Sequence, residues 1–210
     1  MRVIVYVEGP SDRLAMEELL NGLLARLREH GVAVDFIPTE GKKRLMHQTP
    51  LKALNILRNA PDTIVVALPD LYPPNVGFPH RTFPELSQAL HQAFERQRTL
   101  KGDADERLSA RFRIFCFKHD LEALVLAAEA ALASRLGAPA IYRAWILPVE
   151  DQDHDNPPKR IVEQIFAARD ERYHDTIDAP LILGASRYDQ IAAACPQCFK
   201  PFVDFLESLL

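Results

Sequence analysis

Arg2-Val3-Ile4-Val5-Tyr6-Val7 runs without a break into Glu8-Gly9-Pro10-Ser11-Asp12-Arg13. The first six residues are mostly β-branched or aromatic, as in a strand. The next six hold a carboxylate, a glycine and a proline, which end it. Behind them Met16, Leu19, Leu20, Leu23, Leu24 and Leu27 recur at helical spacing. A strand that passes through a carboxylate into an amphipathic helix opens a βα unit. Ligands of open α/β sheets bind at the carboxyl ends of such strands.

The same alternation continues outward from this unit. After Gly31, Val32 to Ile37 reads as a second strand, and Pro38 to Gly41 with Lys42-Lys43-Arg44 reads as a polar loop. Pro50 to Arg58 is expected to be a helix with Pro50 at its tolerated first position. Thr63-Ile64-Val65-Val66-Ala67-Leu68 lacks alternation, which suits a strand covered on both faces in a parallel sheet. Pro69-Asp70-Leu71-Tyr72-Pro73-Pro74 ends it and starts a loop extending to about Thr82, long for a compact link and so a sign of function. A helix from Phe83 to about Arg98, a charged turn from Lys101 to Arg107 and a strand from Arg111 to Phe117 follow. Lys118-His119-Asp120-Leu121-Glu122 then opens the apolar helix Ala123 to Leu136. The order β-α-β-α-β-α-β-α predicts an α/β fold with an open, mostly parallel sheet and right-handed crossovers.

In the final third, Ile141 to Leu147 reads as a further strand and Glu150 to Asn156 as an exposed acidic loop. Ile161 to Ala168 reads as a helix, Tyr173 to Ala179 as a polar connector, and two helices follow near Tyr188 to Ala194 and Phe199 to Leu209. With no repeat, low-complexity tract or linker, the expectation is one domain over 1–210. Its core spans about 1–137, and a helical elaboration spans about 138–210.

At 210 residues and 48% hydrophobic, the chain has enough apolar material for a real core. A net charge of −4 provides no global positive field for nucleic acid or a membrane surface, so nucleic-acid contact would rest on local basic patches. No apolar run approaches a membrane span, and the N-terminal strand lacks a signal-peptide layout; a cytoplasmic location is expected. Three cysteines, Cys116, Cys195 and Cys198, are too few for a disulfide framework.

Three strands thus end in acid: Glu8 after the first, Asp70 after the third, and the His119-Asp120-Leu121-Glu122 group after the fourth. In a parallel sheet those ends share one edge. Asp12, four residues past Glu8, would stand one helical turn away on the same side. Clustered carboxylates repel unless a cation neutralises them. Oxygen ligands suit Mg²⁺ or Mn²⁺, which polarises a phosphoryl oxygen and acidifies a bound water. Ser11 and Asp12 are read equally as helix caps, and His119 or Asp120 as the cap of the helix carrying Glu122.

Val7-Glu8-Gly9-Pro10-Ser11-Asp12 resembles the opening motif of Toprim domains, found in topoisomerases, primases and OLD-type nucleases. There a strand-end Glu-Gly carries an essential glutamate, and acidic residues bind Mg²⁺ during phosphodiester chemistry. A longer ordered set is similar to a Toprim-like bacterial family, domain-of-unknown-function family 4276. The set comprises Gly41-Lys42, Asp70-Leu71-Tyr72-Pro73, Phe117 to Leu124, Asn156-Pro157-Pro158-Lys159-Arg160, and Ala194-Cys195-Pro196 to Leu206-Glu207. This resemblance spans nearly the whole chain and implies a Toprim-like fold with a helical C-terminal extension. It departs at Tyr72, where Toprim domains usually carry the second aspartate of Asp-x-Asp; Glu122, Asp120 and Asp12 are the candidates to replace it.

The resulting expectation is a Mg²⁺- or Mn²⁺-dependent nuclease-like or phosphoryl-transfer activity on DNA or RNA. Glu8, Asp70, Glu122 and Asp12 would be metal ligands, with Glu8, Asp70 and Lys159 catalytic. Lys159, held by the Pro157-Pro158 turn, would contact phosphate and stabilise developing charge. The relatives imply a role in phage or mobile-element defence beside an ATPase partner. The alternatives are a non-catalytic module that binds a partner protein or effector, and a small-molecule phosphatase or phosphotransferase. Lys42-Lys43-Arg44, Arg81, Lys118, Lys159-Arg160 and Arg187 are the basic groups expected near the acidic edge, where they could contact a nucleic-acid backbone; Lys159 apart, most are read individually as solvated surface charge. Cys195-Pro196-Gln197-Cys198 lacks the remaining ligands of a zinc site and is read as packing or helix capping.

Overall fold

The computed structural model describes residues 1–74, 80–142 and 145–210. Four strands, β1 (Arg2–Val7), β2 (Ala33–Pro38), β3 (Thr63–Leu68) and β4 (Phe112–Ile114), form one sheet in the order β2-β1-β3-β4. Every pairing is parallel. β1 sits between the strands that follow it, and its two neighbours are reached by crossovers.

The alternation hidden in the apolar strands appears as two cores. Val3, Val5 and Val7 of β1, with Val66 and Leu68 of β3, enter one; Ile4, Tyr6, Val65 and Ala67 enter the other. The first face is covered by α1 (Pro10–Leu19) and α2 (Asn21–Glu29), with Met16, Leu20, Leu23 and Leu27 wholly buried. The opposite face is covered by α3 (Lys42–Asn59), α4 (Phe83–Leu100) and the short α5 (Arg107–Ala110), with Leu54, Leu90, Phe94 and Leu108 among the buried residues. Helices on both faces bury the two inner strands, β1 and β3, on both sides, which is why these two carry no polar stripe.

The helix expected to start at Pro50 begins eight residues earlier, at Lys42, and Pro50 lies inside it. An interior proline costs about 3 kcal/mol. The buried side chains of Leu45, Met46, Ala53, Leu54 and Leu57 on the same helix outweigh that penalty. Gly41, at φ 106°, turns the chain from β2 into this helix, a conformation glycine adopts without a Cβ clash. Lys42-Lys43-Arg44 is therefore a helix start and not a loop.

After β4 the chain stays beside β3: the Phe115 N–H donates to Ala67 O at 3.0 Å and the Phe117 N–H to Pro69 O at 3.1 Å, with Phe117 bridged to Asp70. The first core continues into α6 (Glu122–Ala127), α7 (Glu129–Arg135), α8 (Pro158–Ala167), α9 (Asp175–Gly184), α10 (Tyr188–Ala194) and α11 (Phe199–Glu207). The polar connector expected over Tyr173 to Ala179 is instead largely α9, despite Pro180 within it. It packs closely on α1: a Cβ on Gly184 would come within 3.2 Å of Glu18 Cβ. Asp178 is fully enclosed there; its oxygens accept the Arg135 Nε–H at 2.8 Å and the His174 N–H at 2.7 Å.

The strand expected over Ile141 to Leu147 is absent at its described residues, where Tyr142, Ile146 and Leu147 are exposed and make no ladder. Residues 143 and 144 of that stretch, and 75–79 of the expected loop to Thr82, lie outside the described residues. Among the described residues, no helix is long and apolar enough to cross a membrane.

Candidate active site

β1 leads to a helix on one face of the sheet, whereas β3 leads to helices on the other. The adjacent β1 and β3 therefore have diverging exits, the switch point where open α/β sheets form a crevice. Glu8 and Asp70 stand at those two exits. The Asp70 N–H donates to Glu8 Oε1 at 3.0 Å, so the Glu8 side chain spans the two strand ends. The Glu8 carbonyl in turn accepts the Gly41 N–H at 2.7 Å. Asp12 is buried and its Oδ2 accepts the Gly9 N–H at 2.8 Å, tying the turn to the first turn of α1.

The continuation of β4 delivers Asp120 and Glu122 to the same cleft, which has a volume of about 330 Å³. Pro157 and Pro158 set the start of α8 so that the Lys159 N–H donates to Asp120 Oδ2 at 3.3 Å. Lys159 Nζ lies 3.7 Å from Glu122 Oε1 and 3.1 Å from Asp175 Oδ2. All of the expected residues, Glu8, Asp12, Asp70, Glu122 and Lys159, thus line one cleft.

One further participant, Asp175, falls in a misread element. Asp175 belongs to the stretch read as a connector, although an acid just before the apolar run Ala179 to Leu183 is a helix-start signal. Lys42 opens α3 and directs its Nζ to Leu71 O at 3.1 Å and Pro73 O at 2.5 Å, beside Glu8 and Asp70. Its sequence context, just after a glycine that follows a strand, marks a helix start on reflection. Other basic candidates are engaged elsewhere: Lys118 with Asp151 and Gln197, Arg160 with Asp155 O, Arg187 with Asp189, and Arg44 with Glu40.

Burial raises the proton affinity of these carboxyls. It pushes Glu8 up to about 7 against the Asp70 N–H and Lys42, Asp120 up to about 6, and Glu122 up to about 8 with Asp120 adding to the rise. Asp70 is raised as well, by burial first and then by Glu8, Asp12 and Asp120. Burial pulls Lys159 down, but Glu122 and Asp175 outweigh it and leave it raised.

A carboxyl with a folded-state pKa above its unfolded value favours folding while protonated. That contribution is complete below the unfolded pKa and is lost as pH rises through the folded one. Unfolding in a chelator-containing buffer should therefore show stability falling between about pH 5 and 8, through the pKa values of Asp120, Glu8 and Glu122. A stability that rises across this interval would contradict the burial of these groups.

The donor set is all oxygen, the chemistry of Mg²⁺ and Mn²⁺ sites. Among the described residues, Asp70 Oδ1 and Asp120 Oδ1 are buried without a hydrogen-bond partner, acceptors of the kind a cation would satisfy. Yet among the described residues no three His, Cys, Asp or Glu side chains are already grouped to hold a metal ion. The donors fit such an ion in kind and line one cleft, but they are not a finished chelate.

Glu150 corrects another expectation. Asp151, Asp153 and Asp155 are exposed, as an acidic loop predicts, but Glu150 is buried. Its oxygens accept the N–H groups of Gln197, Cys198 and Phe199 at 2.6, 2.9 and 3.3 Å, at the start of α11. Cys195 and Cys198 are free and buried, Cys195 in the first core and Cys198 in the second.

A family profile described as "Domain of unknown function (DUF4276)" matches residues 7–207. Among solved structures, the C-terminal region of the Burkholderia pseudomallei OLD protein aligns with a TM-score of 0.51 at 16% identity, covering 98% of this chain and 98% of that one. The C-terminal region of the Xanthomonas campestris pv. campestris OLD protein aligns at 0.47 and 15% identity, over 98% of this chain and 95% of that one. No curated protein sequence matches the chain. The first of these likenesses is one of fold.

Proposed function

This chain belongs to the DUF4276 family, and from that premise we propose that it is a divalent-cation-dependent nuclease-like or phosphoryl-transfer enzyme acting on nucleic acid. The observation that carries the reading is the pair of buried oxygens, Asp70 Oδ1 and Asp120 Oδ1, unpartnered among the described residues, in the cleft that also holds Glu8, Asp12 and Glu122. Glu8, Asp70 and Glu122 would hold Mg²⁺ or Mn²⁺, with Asp12 bracing the turn that carries Glu8. A bound divalent ion supplies Lewis-acid polarisation of a phosphoryl oxygen and acidification of a water. Lys159 and Lys42 supply fixed positive charge near opposite ends of the acid row, where a phosphate would otherwise meet only carboxylates. A role in phage or mobile-element defence beside an ATPase partner is part of the proposal and rests on the family resemblance.

A second reading has its own observations. Lys159 already neutralises Glu122 and Asp175, no three acids are grouped as a chelate among the described residues, and Tyr72 stands at the second acidic place. These favour a non-catalytic module that binds a partner protein such as an ATPase. The two readings separate by titrating Mg²⁺ and Mn²⁺ into the protein and following thermal unfolding, alongside incubation with DNA and RNA. The enzymatic reading expects cation-dependent stabilisation of wild type, loss of that stabilisation in Asp70→Asn, and cleavage by wild type alone. Neither a thermal shift nor cleavage with either cation would leave the binding module.

A further inference from the structure

Beside the carboxylate cleft lies a second, larger one of about 620 Å³, and Asp120 lines both. Its size is that of a small-molecule site, and its character differs from its neighbour's. Tyr72, His119 and His154 form an aromatic group in its wall, with ring centroids 4.3 Å apart for Tyr72 and His154 in an edge-to-face arrangement. His119 lies 5.5 and 5.4 Å from the two. Tyr72 is fixed by its hydroxyl, which donates to the Arg81 carbonyl at 2.6 Å, and Arg81 itself lines the cleft. Pro157, one residue before α8, adds a flat apolar surface. His119 is buried, yet its Nε2 has no hydrogen-bond partner among the described residues. His154 is exposed, an aromatic ring presented to solvent.

We propose that this aromatic cleft receives an unstacked nucleobase whose attached phosphate lies toward the neighbouring carboxylates, so that the preferred substrate is single-stranded nucleic acid. The inference rests on the nucleic-acid reading of the acidic cleft and deepens it. Proteins that hold single strands present aromatic faces for base stacking, which tolerates sequence because every base has a π-face. Only a base free of its duplex partner can enter such a site. The wall offers rings for stacking and an arginine for stacking or phosphate contact. Tyr72 occupies the place where an acid is usual, and it faces this second cleft.

The test is fluorescence anisotropy in Ca²⁺ with a labelled short oligothymidylate and the same strand built from abasic tetrahydrofuran residues, which keeps the phosphates. Wild type should bind the base-bearing strand about tenfold or more tightly than the abasic one. His154→Ala, a change at an exposed position, should erase that difference without altering abasic binding, and His154→Phe should restore it. Equal affinity of wild type for the two strands, binding of neither, or an equal weakening of both in His154→Ala would overturn the base site. Cleavage is scored separately in Mg²⁺ and Mn²⁺. Base discrimination without any cleavage keeps the cleft and removes the phosphodiester chemistry; cleavage without discrimination does the reverse.

Discussion

Glu8→Gln should reduce cation-dependent cleavage of nucleic acid by about 10³-fold or more, which corresponds to about 4 kcal/mol of lost transition-state stabilisation. The substitution preserves side-chain size and still offers an oxygen to the Asp70 N–H, which donates to Glu8 Oε1 at 3.0 Å. Far-ultraviolet dichroism and the unfolding midpoint should therefore stay close to wild type. What disappears is a negative charge at the exit of the central strand, where β1 and β3 diverge. Burial holds the Glu8 carboxyl at a pKa of about 7 in the free protein, so a cation must displace a proton to use it. Glutamine has no such proton and no charge to give. The Mg²⁺-induced rise in the unfolding midpoint should shrink in parallel with activity. Cleavage that survives Glu8→Gln at the wild-type rate would remove Glu8 from the chemistry and with it the mechanism built on this edge.

The largest effect on stability should come at Glu150, which does not line that cleft. Its carboxylate is 2% exposed and receives three backbone N–H groups at the start of α11, where the helix leaves its first donors unpaired. A negative charge there also opposes the positive end of the helix dipole. Glu150→Ala leaves these donors buried without a partner and should cost about 3 kcal/mol or more. Read as heat stability, this is a fall of about 10 °C in the unfolding midpoint. Glu150→Gln keeps one acceptor oxygen and should lose roughly half as much. The residues at stake are substantial: Phe199, Phe202, Val203 and Leu206 of α11 are all buried in the first core. Denaturant unfolding that places Glu150→Ala within about 1 kcal/mol of wild type would show that α11 is anchored by its apolar face alone.

Much of this architecture was legible in the chain. The four strands, the helix after Glu8, the helix after Phe83 and the last two helices follow from period and composition, because those signals report which face of an element is buried. Glu8, Asp70 and Glu122 could be named because each lies where an apolar strand run gives way to a helix start. Pro50 reads as the first residue of a helix and Tyr173 to Ala179 as a connector, but Pro50 and Pro180 both sit inside helices whose buried faces outweigh the lost hydrogen bond. The second of these misreadings hid Asp175. Glu150 looked solvated because its neighbours Asp151, Asp153 and Asp155 are, and only the arrival of α11 from nearly fifty residues downstream explains its burial.

By itself, then, the sequence determined a parallel α/β sheet covered on both faces and a set of acids at its strand ends. Local period carries that information, since each residue's face is set by its immediate neighbours. Tertiary structure alone decided that β1 lies beside β3, which turns separate strand-end acids into one cleft. It also decided that Tyr72, His119 and His154, drawn from three separate segments, share one wall. Strand order and wall composition depend on long-range packing, whose partners are far apart in the chain, and no local pattern encodes them.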